Sequence, residues 1–84
     1  MIANAALSAA GRIGLMLRNR SGRRCVFVTN DDTVRAVPAE EFDLVLRRVG
    51  PEAVVGVYDA RVSVLDLEDD IAYVLQRRAS ACLA

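Results

Sequence analysis

Apolar residues recur every three to four positions through the first twenty residues, which is the period of an α-helix. Polar residues such as Asn4, Ser8 and Arg12 fall mostly on the opposite side. Ser21-Gly22 ends the pattern, because glycine readily adopts the backbone conformation that closes a helix. We therefore predict a helix over residues 2–20, with a buried stripe of Ile2, Ala6, Ala9, Ile13, Met16 and Leu17.

Two short alternating segments follow and predict a β-hairpin. RCVFVTN (24–30) and TVRAV (33–37) flank an Asn-Asp-Asp sequence, which is typical of a tight turn. Helical spacing then returns from Pro38 and stops before Gly50-Pro51. We predict a ββα unit over residues 24–49, whose helix buries Phe42, Val45, Leu46 and Val49.

The same order of patterns recurs 29 residues later. AVVGVY (53–58) and RVSVL (61–65) predict a second hairpin around Asp59-Ala60, and a helix follows with Asp66 as its candidate N-cap. At this offset the strand valines and the apolar helix residues of the two segments align. We therefore predict a second ββα unit over residues 53–82.

Together these elements predict an α+β protein in which residues 1–84 form one small domain, an N-terminal helix followed by the two ββα units. The two hairpins would merge into a four-stranded antiparallel sheet with helices packed on it. We expect the second and third helices to cover one face. The other face would show Cys25, Phe27, Val37 and Tyr58 and is half apolar, so we expect helix one or another subunit to cover it.

The composition indicates more apolar material than one small domain needs. Of 84 residues, 54% are apolar, and the mean hydropathy is positive. A chain of this length buries only about 60–65% of its unfolded surface, so apolar surface remains for contact with another chain. We therefore expect a protein partner, and the same excess favours a homodimer.

Charge is unevenly distributed although the net charge is zero. Residues 1–25 contain no acid, whereas all 11 acidic residues lie in residues 26–84. Such asymmetry indicates a charged interaction surface. Every basic residue of the chain is an arginine, a bias that GC-rich codons also produce. The basic segment contains Arg12, Arg18, Arg20, Arg23 and Arg24.

The residue inventory argues against catalysis. The chain has no histidine and no lysine, so neither cysteine nor any serine has an evident base in the sequence. Cys25 and Cys82 are far apart and show no metal-binding spacing, and we expect both to be reduced thiols in a cytoplasmic protein. The uncharged run before Arg12 is too short to cross a membrane. We predict no enzymatic activity, no cofactor and no metal.

Two other functions remain open. The arginine cluster is able to contact a phosphate backbone, which makes a nucleic-acid-binding or regulatory subunit the alternative, although aromatic residues for stacking are scarce nearby. A carboxylate-dependent metal enzyme is the weakest alternative, since acids at a helix start have an ordinary capping role. Its ligands would be Asp66, Glu68, Asp69 and Asp70.

Leu44 and Tyr73 align at the 29-residue offset and lie off the buried stripe of their helices, with Arg48 and Arg77 on the same faces. Arginine, tyrosine and exposed apolar residues are frequent in protein interfaces. We predict a non-catalytic protein-interaction module, of the kind that phages and mobile elements use as inhibitors of host defence complexes. The predicted partner-binding residues are Arg18, Arg20, Arg23, Arg24, Leu44, Arg48, Tyr73 and Arg77.

Overall fold

The computed structural model describes the backbone of residues 2–83 and the side chains of residues 5–81. Within these residues the protein is α+β, with three α-helices and one three-stranded antiparallel sheet. Two short 3-10 turns, Ala39–Glu41 and Pro51–Ala53, lead into the second helix and the third strand. In chain order the elements are α1 (Ile2–Asn19), β1 (Arg24–Val28), β2 (Val34–Pro38), α2 (Phe42–Val49), β3 (Val54–Tyr58) and α3 (Val64–Leu83).

The sheet has the order β2-β1-β3, so β1 is the central strand and pairs with both neighbours. Val26 lies opposite Ala36 of β2 and Gly56 of β3. The pairing of β1 with β3 shifts by one residue between Val26 and Phe27, which leaves Val55 as an extra residue in β3. Such a bulge bends an edge strand and makes it a poorer template for further pairing.

The predicted four-stranded sheet built from two ββα units is wrong, because the segment RVSVL does not form a strand. Asp59 Oδ1 accepts the backbone N–H of Arg61 at 2.9 Å, and Asp59 O accepts that of Val62 at 3.3 Å, so the chain turns tightly after β3. Ser63 Oγ then accepts the N–H of Asp66 at 3.1 Å. Ser63, rather than the predicted Asp66, is therefore the N-cap of α3.

The distribution of helices over the sheet also differs from the prediction. α1 and α3 pack against each other and cover one face, on which Val26 and Val28 are buried. α2 lies on the opposite face, beside Phe27 and Val37. We predicted α2 and α3 on one face, but α2 has only eight residues and a single buried side chain, Val45. The two long helices have the larger apolar stripes and take the main core between them.

The core lies between the sheet and the α1–α3 pair and contains no buried polar or charged residue among those described. Gly14 allows the two helices to approach closely, since a Cβ at this position would lie 3.2 Å from Val64 Cγ2. Cys25 is completely buried on the α2 side of β1. The fully buried large side chains are Ile13, Leu17, Leu67, Ile71, Val26, Val28 and Cys25.

The strand directions give the fold two distinct ends. α1 ends where β1 and α3 begin and where β3 finishes; the opposite end carries the turn between β1 and β2 and is called the hairpin end. At the hairpin end the Arg78 guanidinium of α3 donates to Val28 O at 3.3 Å and to Thr29 O at 2.6 Å. It also forms an ion pair with Asp32 at 3.6 Å. Arg78 thereby satisfies carbonyl groups at the end of β1 and ties α3 to the hairpin.

Tyr58 connects the last strand to α3. Its hydroxyl donates to Asp70 Oδ2 at 2.6 Å. A Cβ at Gly56 would lie 2.8 Å from Tyr58 Oη, so the ring occupies space that only glycine leaves free on β3. Burial, followed by the hydrogen bond and negative charge of Asp70, raises the pKa of Tyr58 above the ordinary tyrosine value. A raised pKa contributes stability that is present below the unfolded-state pKa of about 10 and is lost as the pH rises through the folded-state pKa.

We expect the Tyr58–Asp70 contact to be measurable in an alkaline titration followed by tyrosinate absorbance. In a Tyr73→Phe background Tyr58 is the only tyrosine of the chain. Adding Asp70→Asn removes the acceptor charge and should shift the transition to lower pH. An equal midpoint with and without Asp70→Asn would show that this contact is absent in solution.

Candidate functional site

The structure separates the eight predicted partner-binding residues into three places. Arg18, Arg20, Arg23 and Arg24 lie at the end of α1 and the start of β1. Leu44 and Arg48 lie on α2, on the second face of the sheet. Tyr73 and Arg77 lie on the exposed side of α3.

A fifth arginine, distant in the sequence, lies beside the four arginines at the end of α1 and the start of β1. Arg61, in the turn after β3, lines a surface depression of about 250 Å³ together with Arg20 and Arg23. The side chains of Arg18, Arg20, Arg23 and Arg61 are exposed, and Arg24 is half-buried. We call the surface formed by Arg18, Arg20, Arg23, Arg24 and Arg61 the arginine end.

Among the residues that the structure describes, no ion pair neutralises the arginine end. Among the described residues the structure has one ion pair, between Arg78 and Asp32 at the hairpin end. Asp59 also lines the depression, but its Oδ1 accepts the backbone N–H of Arg61. The Nε atom of Arg24 is buried without a hydrogen-bond partner. This end therefore combines several guanidinium groups whose charge is available to another molecule.

Two leucines missed by the sequence analysis lie next to these arginines. Leu15 precedes Arg18 by one helical turn and is 62% exposed, and Leu65, in the first turn of α3, is 71% exposed. Gly14 and Val64 face each other between the antiparallel helices α1 and α3. The next residues, Leu15 and Leu65, lie on the same outer side of the pair, because both helices are right-handed and they run in opposite directions.

A recognisable signal existed for Leu65 and Arg61. Ser63 followed three residues later by Asp66 resembles a capping box, with aspartate in place of the usual glutamate, and it predicts a helix start. That start would have placed Leu65 on a helix surface and Arg61 in the preceding turn. Leu15 has no such local signal, because the broad apolar content of α1 does not show which leucine remains uncovered.

A groove lies beside α2 on the second face of the sheet, with a volume of about 570 Å³. Its floor is apolar and is formed by Phe27 and Val37 of the sheet. Leu44 stands at its edge and is 54% exposed. Charged side chains also border it. The residues lining the groove are Phe27, Thr29, Asn30, Arg35, Val37, Glu41, Leu44, Val45, Arg48 and Val49.

Tyr73 and Arg77 contact each other rather than projecting separately. The Arg77 guanidinium lies 5.3 Å from the centre of the Tyr73 ring, within the range of a cation–π contact. Arg77 also donates to Glu52 O at 2.9 Å. Arg77 thus has a structural role in holding α3 to the 3-10 turn before β3, and Tyr73 remains 62% exposed.

The geometry offers no support for the metal-enzyme alternative. Within the described residues no three His, Cys, Asp or Glu side chains are close enough to hold a metal ion. Of the four predicted ligands, Asp70 is engaged by Tyr58. Burial raises the pKa of the Cys25 thiol, which disfavours the reactive thiolate. The side chain of Cys82 lies outside the described residues.

None of the helices that the structure describes is both long and apolar enough to cross a membrane. The arginine end and the groove lie on different parts of the fold, so each is available to a separate contact. Comparisons of the chain with protein-family models, with curated proteins and with solved structures found no match in any of the three.

Proposed function

We propose that this protein is a non-catalytic protein-interaction module that binds an acidic surface of a partner protein through the arginine end. The observation that carries the proposal is the exposure of Leu15 and Leu65 beside arginines that form no ion pair within the described residues. Guanidinium groups supply directional contacts to carboxylates, and the leucines supply apolar area at the same surface.

The leucines favour a protein partner over the nucleic-acid alternative. A phosphate backbone rewards positive charge but gains nothing from exposed aliphatic side chains. Among the described residues, no aromatic side chain lines the depression at the arginine end. Tyr58 lies opposite Arg24 in the sheet. Its ring packs over Gly56 and its hydroxyl donates to Asp70, so it does not offer a free ring for base stacking.

An inhibitor that a phage or mobile element directs against a host defence complex is the specific form of this function that we favour. Such a protein acts by occupying a charged surface and needs no chemical step. The arginine end is suited to this role because complementary charge accelerates encounter with an acidic surface. The free thiol of Cys25 supports the cytoplasmic location that accompanies the proposal.

The test is affinity capture from a nuclease-treated host extract with four forms of the protein. The wild type is compared with Arg20→Gln/Arg23→Gln/Arg61→Gln, which removes charge, and with Leu15→Ser/Leu65→Ser, which removes apolar area. Arg47→Gln is the matched control, because Arg47 is exposed on α2 and does not border the depression. We expect one protein to be retained by the wild type and the control and lost from both multiple variants.

Binding of mixed-sequence DNA or RNA is measured with the same four proteins at increasing salt. Tight, salt-dependent binding that the arginine variant loses and the leucine variant keeps would establish the nucleic-acid alternative and overturn the proposal. Capture of the same proteins by all four forms would also contradict it.

A further inference from the structure

The two faces of the sheet are covered unequally. Two long helices, α1 and α3, cover the first face, whereas the eight-residue α2 alone lies on the second. α2 contacts β1 and β3, and the groove remains over the β1–β2 side. Helices packed on a sheet lie side by side about 10 Å apart, so the second face has room for one more helix beside α2.

The outer edge of β2 is not suited to pairing with another strand. The N–H of Thr29 donates to Thr33 O at 2.8 Å, so these two residues form a hydrogen-bonded pair between β1 and β2. Hydrogen-bonded and non-hydrogen-bonded pairs alternate along an antiparallel ladder. The backbone groups of Val34, Ala36 and Pro38 therefore point away from β1, towards the outer edge of the sheet. The Arg12 guanidinium already donates to Val34 O at 2.8 Å. Pro38 has no N–H to donate. A partner on this side of the molecule therefore meets the groove rather than the strand edge.

The side of α2 that borders the groove, together with the end of the 3-10 turn before it, is complementary to itself. Glu41, the last residue of that turn, lines the groove with Leu44, Val45 and Arg48 of α2, and the four residues follow the spacing of one helix face. An antiparallel pair of such helices related by a twofold axis brings Glu41 opposite Arg48 of the second copy, twice. The axis passes between Leu44 and Val45, so Leu44 of each copy lies at the centre. Neither Glu41 nor Arg48 has an ion-pair partner within the chain among the described residues.

We propose that a second copy of this chain fills the groove, forming a twofold homodimer in which the two α2 helices lie antiparallel between the two sheets. Each Leu44 enters the groove of the other copy, over Phe27 and Val37. Glu41 and Arg48 form two symmetry-related ion pairs at the rim. The twofold operation makes each patch bind its own image, as isologous interfaces require.

The dimer would present its two arginine ends at opposite poles. α2 runs from the end of β2 that lies beside Arg24 towards Thr29 and Asn30 at the hairpin end. Antiparallel α2 helices therefore point the two arginine ends away from each other. The proposed dimer interface and the arginine end consist of different residues, so an experiment is able to disprove the proposal about one of them without affecting the other.

The test is a charge exchange measured by sedimentation over a range of concentrations. Arg48→Glu places a second carboxylate opposite Glu41 and should raise the dimer dissociation constant by about tenfold or more, since two attractions become two repulsions. Glu41→Arg should do the same. The double variant Glu41→Arg/Arg48→Glu restores both pairs in reversed order and should return the constant to within about threefold of wild type. Arg47→Glu, on the same helix but outside the groove, is the matched control.

Mixing the two single variants gives a second readout. The Arg48→Glu chain presents only carboxylates at these two positions, and the Glu41→Arg chain presents only guanidinium groups. Each should therefore associate with the other in preference to itself, giving a heterodimer that a tag on one chain reveals. Circular dichroism of each variant verifies that it remains folded.

Three results contradict the dimer. A wild type that stays monomeric at all concentrations would overturn the proposal. So would a double variant as weak as the singles, or an Arg47→Glu variant as weak as Arg48→Glu.

Discussion

Replacing Leu17 by alanine is expected to lower the free energy of unfolding by about 3 kcal/mol or more. Leu17 is 1% exposed and lies in the core formed by α1, α3 and β1. Its truncation removes apolar contacts and leaves a cavity that the neighbouring side chains fill only in part. Small domains are stable by about 5–15 kcal/mol, so the loss is a large fraction of the total.

The matched control is Leu15→Ala, the same substitution two residues earlier on the same helix. Leu15 is 62% exposed, and its truncation should change the free energy of unfolding by no more than about 0.5 kcal/mol. Both variants are measured by urea unfolding, where a lower midpoint with an unchanged slope reports lost stability. Equal midpoints for the two variants would mean that the core does not lie on the side of α1 that the structure shows.

Replacing Arg78 by methionine is expected to cost about 2–3 kcal/mol of stability. The side chain keeps its apolar stem but loses the guanidinium that donates to Val28 O and Thr29 O. These carbonyls lie beyond the point at which β3 pairs with β1, so no strand replaces the lost donor. The hairpin end should therefore open first, with increased amide exchange at Thr29 and Thr33.

Three variants separate the causes of that loss. Arg78→Lys should recover about half of the stability. A single nitrogen of Arg78, Nη1, donates to both carbonyls, so an ammonium group is able to replace it, but the ammonium group is more strongly hydrated and costs more to hold in this part-buried position. Asp32→Asn should cost less than about 1 kcal/mol, since the Asp32 side chain is 68% exposed and its ion pair is weak. Asparagine also tolerates the positive φ of Asp32. Arg77→Met tests the neighbouring arginine and should also have a small effect. An Asp32→Asn loss as large as that of Arg78→Met would assign the effect to the ion pair rather than to the carbonyls.

The elements with strong local patterns were predictable from the sequence. α1 occupies Ile2–Asn19, where helical spacing predicted a helix over residues 2–20, and β1 lies within the predicted first strand. β2 overlaps the predicted second strand and extends one residue beyond it, to Pro38, which was predicted to begin the helix. The Pro38 and Gly50-Pro51 signals also bracket the 3-10 turn and α2. In each case the residues that favour the element lie within it, so a short window of sequence contains the information.

The second hairpin was predicted wrongly because the apparent 29-residue repeat was given more weight than the local sequence that favours a helix N-cap at Ser63. RVSVL alternates as a strand does, but Val62 and Val64 pack against the core from a turn and from the first residue of α3. The N-cap at Ser63 and the turn at Asp59 already provide the backbone with hydrogen bonds, so a strand ladder is not needed there. Alternation by itself does not distinguish these outcomes over five residues.

The candidate site was predicted in composition but not in arrangement. The cluster of arginines was evident from the sequence. The structure places Arg18, Arg20, Arg23 and Arg24 at one end of the fold, whereas Arg12 lies beside Val34 towards the hairpin end. Arg61 and Leu65 join that end only because β3 brings the chain back beside β1. Leu44 and Tyr73, which the offset aligned, lie on different elements and on separate surfaces.

The class of fold, the long first helix, the first hairpin and the charge asymmetry could all be predicted from residues that are neighbours in the chain. Three other features arise only when the chain is folded: which helices share a face, which apolar side chains stay uncovered and which arginines lie together. These features depend on which helices pack against the limited surface of the sheet, and the helices with the longest apolar stripes cover most of it. The residues next to a given position in the sequence do not contain this information.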